Sequence, residues 1–301
     1  MSNSKDVWGD FWLKTADGLT LYARDYGNPR DSARGYGKDS ASLTVLCLPG
    51  LTRNSADFEE LAERLCKRYR VITMDPRGRG RSAYDPDPSH YQLKTYVADA
   101  FALLDAMDVD RVALVGTSMG GLMSMLMTAT APQRIRGVVL NDIGPVVEAS
   151  GLARIQGYVG KQHPVTGWDD AVEVAKANNS QAFPDFSDAQ WLAFTRRIFR
   201  ENAEGRPELA YDPAISSPIK QDQQAAVPAD LWGVFDALTA TPLLVVRGTL
   251  SDILSAETVK QMAARHRSMQ HIEVARVGHA PLLTEPQATA AIEGFLESLS
   301  D

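Results

Sequence analysis

The sequence predicts an α/β fold, a mostly parallel sheet with helices on both faces. Three observations lead there. Short β-branched or leucine-rich runs recur along the chain, and most are followed by a stretch in which apolar residues have helical spacing. The first two apolar segments instead flank Ala16-Asp17-Gly18, a turn tripeptide that predicts an opening hairpin and an antiparallel first edge. Finally, the run Val112 to Val115 passes through Gly116-Thr117-Ser118-Met119-Gly120 into a helical stretch reaching Thr130. This is a strand, a tight turn and a helix in direct succession.

The elements follow in order. Phe11 to Thr15 and Leu19 to Asp25 form the hairpin, and Gly27 to Ser42, rich in Gly, Ser and charge, reads as a surface loop. Leu43 to Leu48 is a buried strand ending at Pro49-Gly50-Leu51-Thr52, with a helix over Asp57 to Cys66. Arg70 to Met74 is the next strand. It runs into Asp75-Pro76-Arg77-Gly78-Arg79-Gly80-Arg81-Ser82, which has neither the Walker nor the Rossmann glycine spacing and so reads as turns, not a phosphate cradle. A helix over Thr95 to Met107 precedes the serine turn, and the strand Gly137 to Asn141 follows it. After residue 241 come strand Pro242 to Arg247, helix Ala256 to His266, strand His271 to Arg276 and helix Thr289 to Leu299. The intervening residues 145–241 carry helical stretches over Asp169 to Asn178 and Asp188 to Glu201 and many aromatic side chains. They are expected to form a helical cap over a pocket, with residues 1–144 and 242–301 as the core domain. Most of these rings should form the cap's own core, while Trp191 and Phe194 are candidates for the pocket wall.

Composition narrows the function. A net charge of −7 over 301 residues, with no basic run, argues against nucleic acid as a partner. No stretch approaches the length of a membrane span, and the first residues lack the apolar run of a secretory signal, so a cytoplasmic protein is expected. Two cysteines, Cys47 and Cys66, are too few for a disulfide framework and show no metal-ligand spacing.

The chemistry centres on Ser118. A serine hydroxyl is a poor nucleophile near neutral pH unless a base accepts its proton and a carboxylate orients that base. In a parallel sheet these groups belong just past the C-terminal ends of strands. Of five histidines, only His279, in Val277-Gly278-His279, lies immediately past a predicted strand. For the acid, Asp252 follows the penultimate strand in the loop adjoining that of His279 and is preferred. Asp142 also follows a strand and is the competitor, with an alternative role in capping the chain where it enters the cap. The oxyanion of an acyl-transfer reaction needs two N–H donors. The elbow supplies the amide of Met119, and the loop after Leu48 should supply that of Leu51, or secondarily Thr52. Arg53 nearby is a candidate substrate contact, with a surface ion pair as its competing role.

Together, Pro49-Gly50-Leu51, Asp75 through Ser82, Gly116 through Gly121, Gly248-Thr249-Leu250-Ser251-Asp252 and Gly278-His279 resemble the α/β-hydrolase superfamily, in family order and over nearly the whole chain. The resemblance implies an eight-stranded sheet with a cap after the sixth strand. Many members have His-Gly where this chain has Pro49-Gly50, a change that keeps a backbone oxyanion hole but loses that histidine's contacts. A serine nucleophile disfavours the haloalkane dehalogenase and epoxide hydrolase branches, which need an alkyl-enzyme ester. The resemblance implies a cofactor-free carboxylic ester hydrolase, without a metal, acting as a monomer or homodimer on small or medium esters or lactones. The same triad also serves carbon–carbon bond hydrolases, lyases and peroxide-dependent members, and the fold also serves as a ligand-binding module.

Overall fold

The computed structural model describes residues 7–27, 43–161, 165–217 and 230–300. Most of the expected loop from Gly27 to Ser42, together with His163, lies outside them. The sheet is built from β1 (Gly9–Lys14), β2 (Thr20–Tyr26), β3 (Thr44–Leu48), β4 (Arg70–Asp75), β5 (Val112–Thr117), β6 (Ile135–Asn141), β9 (Leu243–Gly248) and β10 (Gln270–Val274). Their spatial order is β1-β2-β4-β3-β5-β6-β9-β10. Strand β2 is antiparallel to both β1 and β4, and the other described pairings are parallel. The first edge is antiparallel, as the hairpin predicts, with β2 as the strand that runs against the others. Because β1 and β2 form a hairpin, β1 returns to the direction of the rest.

Alternation along the strands divides the core in two. Leu46, Leu48, Leu114, Leu140 and Val245 face α2 (Leu93–Ala106), α3 (Met119–Thr130) and α8 (Ala256–Arg265), whereas Val45, Cys47, Ala113, Val115 and Leu244 face α1 (Glu59–Leu65) and α9 (Pro286–Ser298). Both cysteines are buried thiols of the second cluster.

The glycine- and arginine-rich loop after β4 turns its first two arginines inward. Arg77 is 2% exposed and donates to Asp99 at 2.8 and 2.7 Å, to Asp85 at 2.6 Å and to Asp17 at 2.8 Å. One planar fork thus ties the hairpin turn, the loop and α2 together.

Between β6 and β9 the chain forms α4 (Ala149–Tyr158), α5 (Trp168–Asn179), α6 (Asp188–Ile198), a small antiparallel pair β7 (Phe199–Glu201) and β8 (Pro207–Leu209), and α7 (Trp232–Asp236). The helix expected to reach Glu201 stops at Ile198, because a turn through Asn202 and Gly205 folds residues 199–201 back onto 207–209. Helices α5 and α6 bury a cluster of their own around Ala171, Phe183, Trp191, Phe194 and Phe199. Helix α7 instead packs Phe235 into the first core cluster, so the chain is back against the sheet before residue 242. The insertion rests on the core at defined points. The Gly80 N–H donates to Ala210 O, the Asp212 N–H to Gly78 O and the Gly278 N–H to Ala182 O, each at 2.8 Å.

Candidate active site

Ser118 sits between β5 and α3 with φ 52° and ψ −114°, a left-handed region that L-residues adopt only when the surroundings enforce it. Its neighbours explain how that is possible. A Cβ on Gly120 would stand 1.9 Å from the Leu48 carbonyl oxygen, and one on Gly116 would stand 2.3 Å from the Gly120 carbonyl oxygen. Only glycine at both positions lets strand and helix close on the serine.

The Ser118 hydroxyl lies 2.8 Å from His279 Nε2, and His279 Nδ1 lies 2.7 Å from Asp142 Oδ2. Asp142 has no exposed surface, and the His279 side chain is 8% exposed. The Asp142 carboxylate also accepts the Gly248 N–H at 2.9 Å and the Ser251 hydroxyl at 2.6 Å. With Nδ1–H directed at this fixed acceptor, Nε2 is left to take a proton from Ser118. Asn141, at the end of β6, donates to Thr117 Oγ1 at 2.9 Å and to Pro281 O at 2.8 Å, tying the serine strand to the histidine loop.

The expectation that Asp252 orients His279 is corrected. Arg154 of α4 grips the Asp252 carboxylate through two hydrogen bonds, at 2.6 and 2.9 Å. Helix α4 comes this close because residue 151 is glycine, whose Cβ would stand 2.3 Å from the Asp252 carbonyl oxygen. Burial opposes ionisation of Asp252, but the hydrogen bonds and charge of Arg154 outweigh it and hold the carboxyl below its ordinary value. A depressed carboxyl contributes stability above its unfolded pKa, and that contribution is lost as pH falls through the folded value. The melting-temperature difference between the wild type and Arg154→Met is therefore expected at pH 7 and should close as pH drops below about 4, where the unfolded carboxyl protonates. Thermal melts across that range check it.

Leu51 and Met119, the expected oxyanion donors, flank the serine. Leu51 borders the same cavity as Ser118, and Met119 opens α3, where first-turn amides have no partner within the helix. This cavity is also bordered by Arg53, Phe194, Tyr158, Lys161 and Tyr211. Arg53 pairs with Asp57 at 2.6 Å through both Nε and Nη2 and stacks at 4.3 Å on the ring of Phe194. The ion pair that was the competing role for Arg53 is thus present, on a side chain that also borders the cavity. Trp191 is not on the cavity wall. It is buried in the insertion's aromatic cluster, 5.2 Å from the ring of Phe186. Lys161 and Tyr158 escaped the sequence reading, because they lie in or after a segment whose weak periodicity hid their placement, whereas Tyr211 is one of the aromatics of residues 145–241 expected to divide between the cap's own core and the pocket. Burial pushes the Tyr211 phenol up to about 12, so it is a neutral hydrogen-bonding group there. Among the described histidines, His266 is buried with Nε2 between the carbonyls of Leu238 and Thr241, and His90 lies against Asp85.

Fold and site together define an α/β protein whose buried aspartate, histidine and elbow serine form one hydrogen-bonded chain at the C-terminal edge of the sheet. The pattern of the alpha/beta hydrolase fold family matches residues 44–286, and the chain belongs to that family. A 3-hydroxybutyrate-oligomer hydrolase of Cupriavidus necator is 34% identical over 266 residues, 86% of this chain and 90% of that one. A 2-(acetamidomethylene)succinate hydrolase of Mesorhizobium japonicum is 27% identical over 255 residues, 84% and 88% of the two chains. The crystal structure of an alpha/beta hydrolase from Novosphingobium aromaticivorans superposes with a TM-score of 0.88 at 41% identity, covering 97% of this chain and 98% of that one. No helix among the described residues is long and apolar enough to cross a membrane.

Proposed function

We propose that the protein is a cofactor-independent serine hydrolase of carboxylic esters, and that its substrates are short hydroxyacid esters bearing a free carboxylate. The observation that carries the first part is the Ser118–His279–Asp142 chain of hydrogen bonds. Ser118 Oγ attacks the ester carbonyl as His279 Nε2 takes its proton, and Asp142 stabilises the imidazolium. The amides of Met119 and Leu51 receive the oxyanion. Collapse expels the alcohol, which takes the proton from His279. A water activated by the same imidazole then releases the acid and restores Ser118. The described residues of the 145–241 insertion act as the cap whose underside, with Phe194 and Tyr158, closes over the acyl chain.

The substrate class rests on charge. The Arg53 guanidinium is already neutralised by Asp57, whereas Lys161 borders the cavity with no ion-pair partner among the described residues. A lysine bordering a cavity with an apolar wall favours an anionic end on the substrate. The similarity to a hydrolase named for 3-hydroxybutyrate oligomers is in accord with that chemistry.

The test is a panel of activated esters of graded acyl length, lactones and a ring-fission diketone, together with a 3-hydroxybutyrate dimer as its free acid and its methyl ester. The free acid is expected to have a kcat/KM about tenfold above the methyl ester, equivalent to ~1.4 kcal/mol. Lys161→Met should erase that difference. Equal kcat/KM values in the wild type refute the carboxylate preference, and turnover of the diketone without any ester moves the assignment to carbon–carbon bond hydrolysis.

A further inference from the structure

Arg79 is a second arginine of the loop after β4, and it differs from Arg77 in a way that demands a physical reason. It is 0% exposed, yet its hydrogen-bond partners among the described residues are all neutral. Nε donates to the Leu51 carbonyl at 2.8 Å, and Nη1 donates to the Arg77 carbonyl at 2.7 Å and the Tyr96 hydroxyl at 2.9 Å. Nη2 lies 3.9 Å from Met119 Sδ, and the guanidinium carbon stands 4.8 Å from the centre of the Tyr96 ring. Burying a guanidinium without a carboxylate is costly. A residue needed only to fill this space would carry no charge.

The fork touches both residues whose amides are read above as the oxyanion donors. We propose that Arg79 is a positioning residue for the oxyanion hole, setting the Leu51 turn against the first turn of α3; the inference rests on the serine-hydrolase reading. The Leu51 amide belongs to the Gly50–Leu51 peptide, whose carbonyl accepts the Arg53 N–H at 3.1 Å. The next carbonyl, that of Leu51 itself, is the one Arg79 holds. With both flanking carbonyls tied, rotation about the Leu51 backbone is blocked and the direction of its N–H is set. Oxyanion donors lower a barrier only when they are aimed before charge develops. A planar guanidinium with several fixed donors does this, and a single flexible ammonium does not. The same loop carries the Gly78 and Gly80 bonds to residues 210 and 212, so the seat of the insertion and the oxyanion turn share one support.

The experiment compares Arg79→Lys and Tyr96→Phe with the wild type for kcat, KM and inhibition by a trifluoromethyl ketone, which forms an oxyanion adduct on the serine. Ser118→Ala is run alongside. Arg79→Lys is expected to lower kcat by about 30-fold to 100-fold with KM within about threefold, and to weaken the ketone by the same factor. Tyr96→Phe, which removes one support of the fork and leaves no cavity, should show the same pattern at about three- to tenfold. If Arg79→Lys does not fold, Tyr96→Phe decides alone. Changes confined to KM, or unaltered ketone affinity in folded variants, overturn the inference while an inactive Ser118→Ala leaves the serine reading standing. A fully active Ser118→Ala removes that reading and this inference with it.

Discussion

Asp142→Asn is expected to lower kcat by about 10⁴-fold with the protein still folded, whereas Asp252→Asn should leave kcat within about threefold. The asymmetry follows from who holds each carboxylate. One oxygen of Asp142 is taken by the Gly248 N–H, and the other faces both Ser251 and His279. In the Asp142→Asn variant the side-chain carbonyl oxygen keeps the Gly248 bond and the new NH₂ group turns toward Nδ1. Faced with a donor, Nδ1 must accept, the ring proton moves to Nε2, and the base no longer has a lone pair for Ser118. Asp252 is gripped by Arg154 and supplies no hydrogen bond to the imidazole. Steady-state kinetics on one activated ester, with melting temperatures to show that both variants fold, decide between the two aspartates. Loss of activity in Asp252→Asn with retention in Asp142→Asn would reverse the assignment.

Ser118→Ala is expected to cost about 10⁶-fold in turnover and to abolish labelling by a fluorophosphonate, since among the described residues the Ser118 hydroxyl is the one hydrogen-bonded to His279 Nε2. The fold should persist. The serine side chain makes no capping bond to α3, and alanine meets the same backbone cost at φ 52° that serine already bears. A residual rate above that of water is expected if the amides of Leu51 and Met119 act as the proposed oxyanion donors, because the substitution leaves both in place. A turnover number close to wild type, measured on protein free of wild-type carry-over, would remove Ser118 as nucleophile.

Much of this molecule was legible before any coordinates. The continuous apolar runs in Thr44–Leu48 and Val112–Thr117, and the glycines around Ser118, are local signals, because burial of a strand on both faces and a tight turn constrain residues adjacent in the chain. His279 was legible for the same reason, standing just past the end of a strand. Helix α4 was not, since its two glycines weaken helical periodicity, and one of them is there to let the helix lie on the backbone of Asp252.

The choice between the two aspartates lay beyond such signals. That one carboxylate stands past β6 and another past β9 is readable along the chain, whereas the pairing of those two strands, which brings their C-terminal ends to one edge, belongs to the sheet topology. Packing in three dimensions brings Arg154, almost a hundred residues away from Asp252 in the chain, onto one of these carboxylates and leaves Asp142 to His279. Likewise Trp191 and Phe194 share one buried side of α6 and both join the insertion's own cluster, and packing alone brings the second to the cavity wall as well. Periodicity records whether a side chain is buried. Which partner it meets there depends on contacts between distant segments, and no local spacing encodes those.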